Sequence, residues 1–319
     1  MHRRAFISGL ATALIVGPTI ARAQTTGRLP RVVMYSGTTV WKETVAGLAE
    51  LGWVQDRGIV VEWRDPQGDA ATEADLRKWV EQAVDVFVMG GPLRIRAAMT
   101  ATRTIPIVGI DLESDPVASG FVKSLARPGT NVSGVWMDLP ELAGKQLQFL
   151  REVVPALRRV GVVWDDRIGK LQLAQAQSAA RASNISLYPV SLHGLTEADD
   201  AMKRLLVERP QAIVLLTAPS VFTALSRLAA LARQHRLPSI SPFSTYPASG
   251  GLLTYGPDFP TMWRQMAGYV DRILKGAKIA DLPVERPAKF VLGVSVQTAK
   301  ALGVTIPQSL LLRADQVIE

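Results

Sequence analysis

Apolar residues along this chain follow two rhythms that alternate over most of its length. Short β-branched runs are followed by longer stretches with apolar side chains every three or four positions. Arg31–Tyr35 (RVVMY) predicts a buried strand, and Val40–Leu51 predicts a helix with Val40, Trp41, Val45, Leu48 and Leu51 along one stripe. Ile59–Trp63, Val84–Met89 and Ile105–Ile110 predict further strands, separated by helical segments around Asp75–Val80 and from Pro92 onward. Strands that are apolar on both faces and joined by helices imply a parallel sheet covered on both sides.

Turn residues then interrupt the pattern at Arg127-Pro128-Gly129-Thr130-Asn131, and Val132–Met137 is extended. The alternation restarts with a helix at Leu142–Val153, a strand at Val160–Trp164 and a helix at Leu171–Ser183. A strand at Ile185–Pro189, a helix at Glu197–Glu208, a strand at Ala212–Thr217, a long helix at Ser220–His235 and a short strand at Pro238–Ser241 follow. Gly250–Gly256 and Lys289–Ser295 are two more extended pieces, on either side of a helix at Thr261–Lys275, and Val296–Leu302 is a last short helix. The expected fold is α/β, with two Rossmann-like lobes of parallel sheet joined by a three-strand hinge. The expected division is residues 30–132 with 256–286 in one lobe, and 133–255 with 287–319 in the other.

Three stretches carry a family resemblance. They are Phe121–Val135 (FVKSLARPGTNVSGV), Gly250–Gly256 (GGLLTYG), and the tail Ala299–Pro307 with Leu311–Asp315. Together they resemble the ABC-transporter substrate-binding family, whose characterised members bind tryptophan and other aromatic amino acids. The similarity spans Arg31–Glu319. It implies the type I periplasmic binding protein fold, capture of a small molecule such as an amino acid or an organic or aromatic acid, and delivery to an inner-membrane permease. One departure stands out: where the family usually has an Asn-Pro turn after the first strand of the second lobe, this chain reads Trp164-Asp165-Asp166-Arg167. A ligand sensor that hands its closed form to a membrane receptor would share the same lobes.

The first residues read as an export leader. Arg3 and Arg4 precede the apolar stretch Ile7–Ile20, and Ala21-Arg22-Ala23 is an A-x-A cleavage pattern, so residues 1–23 are expected to be removed and the remainder to work in the periplasm. Arg3-Arg4 fits both a twin-arginine signal and an ordinary secretory one. Loss of Arg3, Arg4 and Arg22 lowers the formal charge of +8 to +5. Without a basic stripe or docking motif no nucleic-acid partner is expected, and a monomer is. The chain has no cysteine, which excludes disulfides and thiolate chemistry.

In an open parallel sheet, ligands bind beyond the carboxyl ends of the strands, where helix N-termini converge. The candidate ligand-binding residues follow from that rule. Ser36, Gly37 and Thr38 end the first strand, and their hydroxyls could cap the next helix or meet a ligand. Gly90 and Gly91 end the third strand, as a site of close approach or a plain tight turn. Asp111 follows the fourth strand and Asp165 the first strand of the second lobe, each able to accept from an ammonium or hydroxyl. Thr217 and Ala218 mirror the glycine turn. Trp41, Trp136, Trp164, Phe243 and Tyr255 could stack a planar ligand or pack the core. Trp53, Trp63, Trp79 and Trp263 are read as core or surface residues.

No cofactor, metal site or catalytic residue is expected. The chain holds only His2, His193 and His235, and has none of the H-E-x-x-H, G-x-S-x-G, Walker A or G-x-G-x-x-G patterns. A hydrolase built on a carboxylate pair is the remote alternative.

Overall fold

The computed structural model describes residues 28–35, 38–64, 69–137 and 139–319, with only backbone described at 38–40, 69–72 and 139–140. The expected leader, Ser36 and Gly37 lie outside these residues. The chain begins with β1 (Arg31–Tyr35), α1 (Thr38–Glu50), β2 (Val60–Arg64), α2 (Asp69–Glu81), β3 (Val86–Gly90), α3 (Pro92–Ala101), β4 (Ile107–Asp111) and β5 (Val132–Trp136). These strands form one sheet in the order β2-β1-β3-β4-β5. All its pairings are parallel.

Both faces of this sheet are buried, as the unalternating strands require. Val32 and Met34 point to one core, which α1 and the later helix containing Met262, Met266 and Val270 complete. Val33 and Tyr35 point to the other, closed by Leu76 and Trp79 of α2 and by Ile95 and Ala98 of α3.

The second half runs α4 (Leu139–Val153), β6 (Arg159–Trp164), α5 (Lys170–Ala182), β7 (Ser186–Ser191), α6 (Ala198–Val207), β8 (Ala212–Leu215), α7 (Pro219–Thr223), α8 (Leu225–Gln234) and β9 (Ser239–Ser241). It ends with β10 (Leu253–Pro257), α9 (Phe259–Leu274), β11 (Phe290–Ser295), α10 (Val296–Leu302), α11 (Gln308–Leu311) and β12 (Gln316–Ile318). Seven of these strands make the second sheet, β12-β11-β10-β9-β8-β6-β7. Its pairings are parallel except β10 with β11, which is antiparallel because the chain leaves for α9 and returns beside the strand it left.

The chain passes between the two sheets after β5, after β10 and again before β11. Because β5 pairs with β4 from Val132 to Trp136, the first crossing follows Trp136 rather than the expected 132/133 boundary. The long helix expected at Ser220–His235 is two helices, broken at Ala224 (φ −93°, ψ 1°). Among the described residues no helix is long and apolar enough to cross a membrane.

Candidate ligand cleft between two sheet edges

The loops after the strands of both sheets meet. Leu171, just beyond the loop that follows β6, packs against the core of the first lobe. Phe243, just beyond β9, stacks on Phe259, which opens α9, with ring centroids 5.8 Å apart and planes 21° apart. Phe259 in turn packs against cores of both lobes. The two carboxyl edges therefore form the walls of one candidate cleft, as topology places ligands in open α/β sheets.

On the first wall, β3 ends in Gly90 and Gly91. Gly91 has φ 84° and serves as the N-cap of α3 without a side-chain cap, with Pro92 next. Its N–H donates to Ile110 O at 2.8 Å, and Arg94 Nη1 donates to Gly90 O at 2.8 Å, so the turn is braced from both sides. Only backbone is described at Thr38.

Asp111 does not project into the cleft. It is fully buried, and its carboxylate accepts from Glu113 N (2.8 Å), Ser114 N (3.1 Å), the Ser114 hydroxyl and Trp136 Nε1 (3.2 Å). Its expected ligand role gives way to bracing the loop after β4. Trp136 shares that fate: it is 2% exposed, lies in the same core as Phe121 and is tied to Asp111. Glu113 is buried beside Asp111, and burial followed by the Asp111 charge pushes its carboxyl well above the usual range. Burial likewise raises Asp111. Two adjacent carboxyls in an apolar setting do not both ionise, so the pair holds one proton.

On the second wall, Trp164 ends β6, half-buried against the second core, and Asp165 follows it. Asp165 is 2% exposed. Its Oδ1 accepts from Arg167 N and Nε (3.0 and 2.9 Å), and its Oδ2 from Arg167 Nη2 (2.6 Å) and the Ser220 hydroxyl (2.8 Å). Burial works to raise this carboxyl, but the bonds from Arg167 and Ser220 outweigh it and hold the group below its ordinary value. Asp165 thus joins the loop after β6 to α7 and has no oxygen to spare for an ammonium. Asp166, beside it, meets His193 Nε2 at 2.7 Å, and His193 Nδ1 lies 3.3 Å from Glu197. The bond to Asp166 raises the His193 imidazole. Asp165, Asp166 and His193 bring ligand atoms within 4.8 Å of one another, but the Arg167 guanidinium sits on both Asp165 oxygens, where a cation would need them.

Thr217 lies two residues past β8 and is 2% exposed. Its N–H donates to Gln172 Oε1 (3.0 Å) and its carbonyl accepts from Gln172 Nε2 (2.8 Å). Its hydroxyl has no hydrogen-bond partner among the described residues. Ala218 is the buried N-cap of α7.

Aromatic rings line the junction more thoroughly than the residue pattern suggested. Trp41 packs beside Trp63 at the end of β2, centroids 5.8 Å apart. Phe222, about half exposed on α7, meets Phe243 at 5.0 Å; Phe243 stacks on Phe259, and Phe259 lies 5.5 Å from Trp263. Trp63, Phe222, Phe259 and Trp263 were not singled out by sequence reasoning. The available signal was position alone: Trp63 one residue from the end of β2, and Phe259 one residue past the second crossing. Tyr255 instead packs at the hinge between Phe149 (5.0 Å) and Phe290 (5.7 Å). A separate groove of about 300 Å³ lies between α4 and the end of α5, lined by Gly144, Leu147, Arg151 and Ser183 among others.

Two parallel α/β lobes joined by three crossings, with braced loops and aromatic rings where their strand ends meet, define a cleft-type binding protein. The chain belongs to the ABC transporter substrate binding protein family, whose model matches residues 38–318. It is 24% identical over 264 residues to a tyrosine-binding protein of Clostridioides difficile, covering 82% of this chain and 75% of that one. A conserved domain protein of Vibrio cholerae has the same fold, with TM-score 0.84 and 24% identity over 91% of this chain and 100% of the other. So does a domain from Streptococcus pneumoniae solved with L-tryptophan, with TM-score 0.84 and 20% identity over 91% of this chain and 100% of the other.

Proposed function

We propose that this substrate-binding protein is exported to the periplasm, captures an aromatic amino acid between its lobes and delivers it to the membrane permease of an ABC importer. The observation that carries the reading is the ladder Phe222–Phe243–Phe259–Trp263, which runs from α7 in the second lobe into α9 against the first. Flat rings stack a planar side chain and exclude water. The half-exposed Phe222 is the rung with a face to offer. The tyrosine-binding relative and the L-tryptophan complex support the same ligand class. The braces around Asp111 and Asp165 keep the two walls rigid, so that binding changes how the lobes sit rather than how they fold.

A melting screen of the purified chain from Gln24 tests this against L-amino acids, aromatic acids and sugars. A ligand present at a hundredfold its dissociation constant adds about 2.7 kcal/mol. L-tryptophan, L-tyrosine or L-phenylalanine should give the largest shift, with no mass change in the recovered ligand. A shift with sugars alone would overturn the ligand class, and a converted ligand would overturn the binding role.

A further inference from the structure

Among the described residues four buried side-chain polar atoms lack a hydrogen-bond partner: Trp41 Nε1, Arg159 Nε, Thr217 Oγ1 and Trp263 Nε1. Buried polar groups in folded proteins are nearly always paired, because an unpaired one keeps its full desolvation cost. Arg159 opens β6, at the far end of that strand from Trp164, and its guanidinium lies over the Tyr188 ring. Trp263 is sunk in the first core, 8% exposed. The remaining two lie near the carboxyl ends of strands in different lobes, where the candidate cleft walls are. Trp41 is in the first turn of α1, against Trp63 at the end of β2. Thr217 is at the end of β8, with its backbone clamped on both sides by Gln172. That clamp fixes the position of the threonine, so its idle hydroxyl is not the result of a loose loop.

We propose that Trp41 and Thr217 determine specificity by donating, one from each lobe, to the carboxylate of the bound amino acid. An indole N–H can only donate, whereas a threonine hydroxyl donates or accepts, so a group that satisfies both must be an acceptor. A carboxylate offers two oxygens with about four lone-pair sites, enough for two donors approaching from different directions. A single carboxylate bonds both donors only when the walls are together, so this contact favours the closed form over the open one. The inference rests on the cleft-binding reading above and adds to it the ligand group that the two walls recognise.

Calorimetric titration with L-tryptophan and L-tyrosine, and with tryptamine and tyramine, which keep ring and ammonium but lack the carboxylate, tests it. The wild type should bind the amines at least about tenfold more weakly than the amino acids. Trp41→Phe and Thr217→Val keep ring and volume but delete the donor, and each should weaken amino-acid binding about tenfold. Their ligand-free melting points should match or exceed the wild type, since an unsatisfied buried donor has been removed. Thr217→Ser should bind like the wild type. Amines that bind as tightly as amino acids, variants with wild-type affinity, or a ligand-free melting point several degrees lower in both variants would each overturn the proposal. A wild type that binds neither amino acid removes the ligand class itself and the proposal with it; a wild type that binds while both variants match it removes only the proposal.

Discussion

Asp165 and Glu113 are both buried carboxyls at strand ends, and their neighbours send them in opposite directions. Arg167 and Ser220 keep Asp165 charged against the cost of burial. A depressed carboxyl contributes stability that is present above its unfolded value and lost as pH falls through the folded one. Asp165→Asn should therefore cost about 1–2 kcal/mol at pH 7, and flatten the fall in melting temperature below about pH 4. At Glu113 the Arg94 charge works downward, but burial and then the Asp111 charge outweigh it and raise the carboxyl well above its ordinary range. A raised carboxyl is most favourable below its unfolded value and loses stability as pH rises toward the folded one. Glu113→Gln keeps the shape and removes that titration, so its melting temperature should gain on the wild type between about pH 5 and 8. Equal slopes in the two proteins would count against a shared proton at this site. Neither outcome was legible in sequence: Asp165 and Asp111 read as free acceptors because a linear pattern does not show which donors the fold brings to them.

At the scale of elements, the alternation of apolar runs and helical stripes located the strands and helices well, since each must bury a face whatever its partner. Three features escaped it. The break at Ala224 has no glycine or proline to announce it. The short β12 carries little apolar weight and exists because β11 offers it an edge. The antiparallel placement of β11 is a property of the route the chain takes around α9. Close packing between β4 and β5 is likewise a pairwise property: at Gly134, φ is 143° and an added Cβ would lie 2.0 Å from Gly109 O. Gly134→Ala should therefore destabilise the chain by more than about 3 kcal/mol, read as a lowered denaturant midpoint or loss of folded protein. An unchanged midpoint would show that the two strands can separate there.

At the scale of the whole molecule, three crossings, one after β5, one after β10 and one before β11, leave two bodies whose relative position few residues control. Phe259 and Tyr255 each pack against cores of both lobes, which makes them the residues most exposed to strain when the lobes move. A ligand that touches both walls shifts the population toward closure by its differential affinity. Small-angle scattering with a saturating aromatic amino acid should show a smaller radius of gyration than the ligand-free protein, and Phe259→Ala should lessen the difference. An identical radius in both states would indicate a cleft that does not move.

By itself the sequence determined the classes of its elements, their order and the doubling of one β-α architecture, because periodicity and turn chemistry are local and each segment carries its own. The three motifs determined family. Only the tertiary structure decided which strand-end residues are tied to partners and brace a loop, because those partners lie far apart in the chain: Ser220 for Asp165, Trp136 for Asp111 and Phe259 for Phe243. It also left the Trp41 and Thr217 donors buried without a hydrogen-bond partner among the described residues, which no linear pattern announces.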